Sequence, residues 1–232
     1  MERENCEIID TDCKGEGKTL YTSDFKRDTN YWNTYYQSKP DIETPSLFAV
    51  KIGTQLKKAS KLLDLGCGNG RDSLYFHRLG LYVTAVDASD IAIKMLQEEH
   101  KDKGIRFICD DFVSSPMIYA EKCDYCYSRF SLHAINEKQQ DEFLLHIYDI
   151  LEDSGRFFIE VRSVHDELYG KGEEAGRDAF IFDGHYRRFI RQEELEQKLM
   201  RIGFKMEYSK EDIGFAPFGN SDPPVIRMIV KK

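Results

Sequence analysis

Two carboxylates stand at the ends of two short apolar runs, each beside a turn. Leu62-Leu63-Asp64-Leu65 leads into Gly66, Cys67, Gly68, Asn69 and Gly70, and Tyr82–Val86 leads into Asp87, Ala88 and Ser89. Glycines at such a turn let the backbone approach a ligand without side-chain obstruction. An acid about twenty residues beyond a glycine loop, at the end of the next strand, suits hydrogen bonds from ribose hydroxyls. The pair predicts a nucleoside-bearing ligand at the C-terminal edge of a sheet. The spacing is GxGxG, not the GxGxxG of dinucleotide sites, and it opens with Asp64, which repels a pyrophosphate and suits a cationic amine or sulfonium. A nicotinamide-dependent oxidoreductase lacks its motif here. Simpler roles stay open: Asp87 as a cap for a helix starting near Ser89, and Asp64 as a solvated loop acid.

A second group of residues carries positive charge. SRFSLHAI brings Arg129 and His133 after an apolar strand, and His133 suits a general base because its ordinary pKa lies near neutrality; a plain hydrogen bond to a loop carbonyl is the equal alternative. Arg162, His165 and Asp166 end the next strand, and DGHYRRFIR supplies His185, Tyr186, Arg187, Arg188 and Arg191. Guanidinium groups grip carboxylate or phosphate with paired hydrogen bonds, so the cluster predicts an anionic acceptor; a solvated basic edge is the competing reading. If this segment is extended, alternation sends Tyr186 and Arg188 one way and Arg187 the other, and the acceptor role is assigned to Arg162, His165, His185, Tyr186 and Arg188. Tyr31, Trp32, Tyr35 and Tyr36 complete the set, either as a lid that shields a cation and excludes water or as packing between an N-terminal helix and the sheet.

The elements that must position these residues follow from periodicity. Pro45 precedes a predicted helix over 46–57; then come strand 61–65, helix 71–79, strand 82–86, helix 90–100 and strands 105–109 and 123–128. Helix 137–151, strand 156–162, helix 192–202 and strands 204–209 and 225–230 complete the pattern. Apolar strands alternating with amphipathic helices predict an α/β fold with a mainly parallel sheet covered on both faces. The last two strands lack a helix between them, so one runs antiparallel. Residues 1–28 read as a loose arm, 29–58 as an aromatic and helical lid, and 59–232 as the core, interrupted by a polar insertion at 163–190.

With these residues in view, Asp64-Leu-Gly-Cys-Gly-Asn-Gly70 resembles the first motif of class I S-adenosylmethionine-dependent methyltransferases, and Asp87 resembles their ribose-binding acid. Asp111-Phe112, with Asp110 as a substitute, is similar to the adenine contact, and the strand and loop 123–135 to the motif facing the transferred methyl. The stretch from Leu62 to Ser89 looks like the tellurite-resistance and thiopurine methyltransferase neighbourhood. The resemblance implies a Rossmann-like seven-stranded sheet with a reversed C-terminal hairpin. It implies S-adenosylmethionine as cofactor, leaving S-adenosylhomocysteine, held by Asp64, Gly66, Cys67, Gly68, Gly70, Asp87, Ala88, Asp111, Phe112 and Ser128. It also implies a small acceptor methylated on O or N, such as a phosphorylated or nucleotide-linked glycan precursor; a detoxifying thiol or metalloid methyltransferase and a non-catalytic cofactor-binding module are the alternatives.

Composition bounds the rest. The chain has 232 residues, 41% hydrophobic, and a formal net charge of -8, so it suits one globular domain and disfavours nucleic acid as a partner. No run is long enough to span a membrane, and a cytoplasmic monomer or homodimer with free thiols is expected. Cys123 and Cys126 form a CxxC, but in a strand positions i and i+3 face opposite ways. No metal site is expected, and Cys109, Cys123 and Cys126 read as small buried hydrophobes.

Overall fold

The computed structural model describes residues 29–38 and 44–232; the expected arm at 1–28, with Cys6 and Cys13, lies outside them. Residues 29–38 are helical (α1). Ser46 caps α2 (Leu47–Gly53), its hydroxyl accepting from the Ala49 amide. The core then alternates as predicted: β1 (Lys61–Leu65), α3 (Arg71–Arg78), β2 (Tyr82–Asp87), α4 (Asp90–His100), β3 (Arg106–Cys109), β4 (Cys123–Arg129), α5 (Glu137–Ile150) and β5 (Leu151–Arg162). The insertion contributes β6 (Glu173–Gly176), β7 (Ala179–Phe182) and β8 (His185–Arg188), and α6 (Gln192–Ile202), β9 (Lys205–Asp212) and β10 (Val225–Lys231) close the chain.

Seven strands form one sheet in the order β3-β2-β1-β4-β5-β10-β9. The first five are parallel, and β10 inserts antiparallel to both β5 and β9. The central strands are buried on both faces because helices cover each side. Phe48, Ile52, Phe76, Ile93 and Leu96 of α2, α3 and α4 pack on one face; Phe143, Leu144, Ile147, Leu195 and Leu199 of α5 and α6 pack on the other. Strand order reverses between β1 and β4, and ligands bind at such a switch point, beyond the carboxyl ends of the strands. Asp64, Asp87 and Arg129 all stand there.

Within the polar insertion, β6, β7 and β8 make a three-stranded antiparallel sheet, pinned by Asp178, whose carboxylate accepts from Tyr169 Oη at 2.7 Å and from two Arg191 nitrogens at 2.8 Å. Three expectations need correction. The helix predicted over 46–57 stops at Gly53, where any Cβ would press on the Tyr75 hydroxyl at 2.7 Å. Cys123 and Cys126 do not diverge, because the β4–β5 register shifts between Cys123 and Tyr125 and brings their sulfurs to 3.4 Å. Such a bulge breaks strict alternation. Cys109 is exposed rather than buried. Among the described residues no cluster of three or more His, Cys, Asp or Glu could hold a metal, and no helix is long and apolar enough to cross a membrane.

Candidate active site

A cavity of about 990 Å³ opens over the switch point, at the upper end of the ~300–1,000 Å³ typical of ligand pockets. One end is the glycine loop. Gly68 has φ +54°, a left-handed conformation that strains any other residue, and a Cβ there would collide with the Tyr36 hydroxyl. Gly66 is pressed by Ser131, whose hydroxyl donates to the Leu65 carbonyl. Asp87 fixes the loop: one carboxylate oxygen accepts from the Gly68 amide at 2.8 Å and the other from Ser89 at 2.9 Å. Asp64 accepts from the Ser73 hydroxyl at 2.5 Å. Burial pushes the Asp64 carboxyl up to about 8, with Asp72 and Asp87 adding to the rise. Burial raises Asp87 as well. Raised that far, the Asp64 carboxyl holds its proton at neutral pH, and a cation placed beside it would restore its charge.

The opposite end is basic. Arg129 donates to Glu160 at 2.8 Å, and Arg227 donates to the other oxygen of Glu160 at 2.5 Å. Phe130, at φ +56°, lies between two guanidinium groups, with Arg129 at 4.6 Å and Arg162 at 5.5 Å from its ring centre. Arg162 also donates to Asp166 at 2.5 Å. His133 is buried, and its Nδ1 has no hydrogen-bond partner among the described residues. Burial, then Arg162, His185, Arg187 and Arg188, hold its pKa well below the usual histidine value, so its imidazole is neutral.

Helix α1 bridges the two ends. Asn33 donates to Asp90 at 2.8 Å and accepts from the Ser89 hydroxyl at 2.6 Å. Tyr31 stacks on His185 at 4.4 Å, and Trp32 meets the same ring edge-on at 4.9 Å.

The cavity wall gathers most of the residues expected from sequence: Tyr31, Trp32, Tyr35, Tyr36, Asp64, Gly66, Cys67, Gly68, Asp87, Ala88, Asp111, Phe112, Arg129, His133, Arg162, His185 and Tyr186. Four lie elsewhere. Gly70 serves packing, since a Cβ there would meet Leu96 at 2.6 Å. Ser128 is fully buried behind the wall. His165 is exposed and paired with Glu211 at 2.6 Å. Arg188 points into the protein, donating to the Ile135 carbonyl at 2.9 Å and to Gln140 at 2.5 Å, while Arg187, assigned to the other side, lines the cavity. The asparagine-capped loop that starts α5 presents acceptors just where Arg188 reaches, and a buried guanidinium must take them.

Residues 62–155 match the family model described as a methyltransferase domain. That stretch, from Leu62 in β1 to Gly155 in β5, is thus similar to a methyltransferase domain. The chain's fold is shared by the 1,6-didemethyltoxoflavin-N1-methyltransferase of Burkholderia thailandensis, solved with 1,6-didemethyltoxoflavin and S-adenosylhomocysteine, at TM-score 0.65 and 21% identity over 97% of this chain and 93% of that one. A TehB-like S-adenosylmethionine-dependent methyltransferase from Corynebacterium glutamicum aligns at TM-score 0.60 and 19% identity, over 91% of this chain and all of that one. The sphingolipid C9-methyltransferase of Komagataella phaffii is 26% identical over 154 residues, 62% of this chain; the chain spans about 31% of that relative's length.

Several residues of the cavity wall escaped sequence reading. Arg71 lines the cavity from the first turn of α3, where a cation opposes the helix dipole; that misplacement was the available signal. Asp72 is buried, accepting from the Ser46 amide at 2.7 Å and from the Ser46 and Tyr127 hydroxyls at 2.8 Å. The segment from Ala216 to Pro223 also contributes to the wall, and nothing local in GFAPFGNSDPP announces it.

Proposed function

We propose that this methyltransferase takes S-adenosylmethionine at the glycine-loop end and transfers its methyl to an O or N of a small anionic acceptor at the basic end. The observation that carries the reading is the uneven charge of the cavity wall: Asp64 and Asp87 at the glycine loop, Arg162, Arg187 and neutral His133 on the insertion side, and Arg129 between them, within reach of Asp64. The glycine-loop end fits the donor. Gly68 lets the Tyr36 ring close down on the loop, Asp87 keeps acceptor capacity for ribose hydroxyls, and Asp64 can pair with an ammonium while Arg71 meets a carboxylate. The bound donor supplies an electrophilic methyl on a sulfonium.

The chain's own residues then align, shield and manage a proton. Methyl transfer is an in-line displacement, so holding two ligands in one enclosed space supplies much of the rate. Arg162 and Arg187 grip the anion of the acceptor, a class that includes nucleotide-linked glycan precursors. Helix α1 acts as the lid, its rings of Tyr31, Trp32 and Tyr36 excluding water. His133, neutral and on the cavity wall, accepts the proton of a hydroxyl acceptor as it is methylated.

Calorimetry with S-adenosylhomocysteine, followed by methyl transfer to a panel of phosphorylated and carboxylated metabolites, tests this. Asp87→Ala removes the anchor of Gly68 and the ribose acceptor together, and is expected to weaken S-adenosylhomocysteine about a hundredfold. No heat with the wild-type chain would end the proposal.

A further inference from the structure

The acceptor end has a wall that neither the glycine loop nor the arginines explain. Between β9 and β10 the chain makes a loop whose Ala216, Pro217, Phe218 and Pro223 face the cavity with one hydroxyl, Ser221. This loop is built, not slack. The Gly214 amide donates to Asp222 at 2.8 Å, and Phe218 and Ser221 exchange two backbone hydrogen bonds, at 2.8 and 3.0 Å. Arg227 donates to the Phe215 carbonyl at 2.6 Å and lies 4.3 Å from the centre of the Phe215 ring. The same Arg227 holds Glu160, which holds Arg129, and Ser221 reaches Glu167 at 3.5 Å, next to the Asp166 that anchors Arg162. The loop is thus tied to the corner where Phe130 sits between Arg129 and Arg162. On this fixed frame Phe218 is 60% exposed among the described residues, a large ring held at a cavity mouth.

We infer that the acceptor is an aromatic anion, its ring packed between Phe218 and the rings of Phe130 and Tyr31 and its carboxylate or phosphate met by Arg162 and Arg187. This rests on the acceptor reading above and narrows it. A sugar phosphate, hydrated along its length, would desolvate against Ala216, Pro217, Phe218 and Pro223 without gaining hydrogen bonds. An aromatic ring gains area and ring-to-ring contact there. Phe218 is on this view a specificity residue, with no part in the chemistry.

The test uses the full chain with S-adenosylhomocysteine and reads the fluorescence of Trp32, the single tryptophan, which lines the cavity. The probes are 3-hydroxybenzoate, 3-hydroxybutyrate, 3-hydroxydecanoate and glycerol 3-phosphate. 3-Hydroxybenzoate is expected to bind at least about tenfold tighter than the other three, and Phe218→Ala to weaken it about tenfold while changing glycerol 3-phosphate less than about twofold. Phe218→Leu, which keeps apolar bulk, should lie between. Equal binding of the four probes overturns the inference, as does an unaffected Phe218→Ala. Tighter binding of 3-hydroxydecanoate overturns it in favour of an acyl acceptor, and tighter glycerol 3-phosphate in favour of a glycan-type one. Calorimetry with S-adenosylhomocysteine on the same samples reports the donor site separately, so its failure would leave the ring-dependent result standing.

Discussion

The two ends of the cavity are made by different means. At the glycine-loop end, most of the cavity-facing groups fall within residues 64–88, in two successive strand-to-helix turns, with Asp111 and Phe112 from the turn after β3, and backbone amides do much of the fixing: Gly68 and Ser89 both donate to Asp87. At the basic end the groups come from β4, β5, β8 and the loop before β10, and side chains fix one another: Arg129 through Glu160, Arg162 through Asp166, Arg188 through Gln140. A site built from consecutive turns is set once the sheet forms. A site assembled from distant segments can change its specificity without touching the sheet. The charges differ too. Burial raises the Asp64 and Asp87 carboxyls at the acidic end, and burial with the surrounding arginines lowers His133 at the basic end, so each end disfavours its own charged form.

The sharpest way to test that contrast is pH. Asp64 has an ordinary value of 3.8 and a folded value of about 8, so between these limits the folded chain holds a proton that the unfolded chain has lost. Its contribution to stability is full below about pH 4 and is lost as pH rises through 8, at up to about 1.4 kcal/mol per pH unit. The groups facing Asp64 are Ser73, Asp72, Asp87 and Arg129, and all remain in Asp64→Asn. Wild type should therefore lose melting temperature relative to Asp64→Asn between pH 6 and 8. S-adenosylhomocysteine, whose ammonium takes the place of the proton, should bind wild type up to about tenfold tighter per pH unit across the same range. Parallel curves for the two proteins would show that the acidic end carries no latent charge. His133 works in the opposite sense, its depressed value favouring the folded chain above the ordinary histidine range and costing stability as pH falls below it, and it is common to both proteins.

A smaller effect separates neighbouring arginines at the basic end. Arg187 lines the cavity and Arg188 is buried against Ile135 and Gln140. Arg187→Ala should raise acceptor KM about tenfold and leave the melting temperature and S-adenosylhomocysteine affinity alone. Arg188→Ala should instead cost about 1–3 kcal/mol of stability by stranding the Ile135 carbonyl and Gln140. Steady-state kinetics and thermal melts on both variants decide between them; a reversed pattern would put Arg188 in the pocket.

This pair also shows where sequence stops being informative. Strand alternation separated Arg187 from Arg188 but wrongly grouped Tyr186 with Arg188, since Tyr186 and Arg187 both line the cavity; the inward turn of Arg188 depended on Gln140, some forty-eight positions earlier, and no local rule reports that. The glycine loop, Asp87 and the order of strands and helices were legible because hydrophobic period and turn chemistry act over a few residues. His133 was legible as a residue type near a strand end; its depressed pKa was not, since burial and Arg162, His185 and Arg187 cause it together. The Cys123–Cys126 contact was hidden by a bulge, and the loop from Ala216 to Pro223 by its origin between two strands that pair far from the motifs.

The smallest effect lies where the two ends meet. Helix α1 touches the donor end through Asn33, bonded to Ser89 and Asp90, and the acceptor end through Tyr31, stacked on His185 with its hydroxyl toward Arg187. Tyr31→Phe keeps the stack and removes only the hydroxyl, so Arg187 gains freedom to meet an anion while the roof loses one tie. The two consequences oppose each other, and a shift of no more than about twofold to threefold in acceptor KM is expected. S-adenosylhomocysteine affinity should not move at all, because the Asn33 contacts are untouched. If calorimetry shows the donor weakened as strongly as the acceptor, α1 moves as one rigid roof and the two ends are coupled through it; if only the acceptor responds, each end closes on its own ligand, which is the arrangement their separate construction predicts.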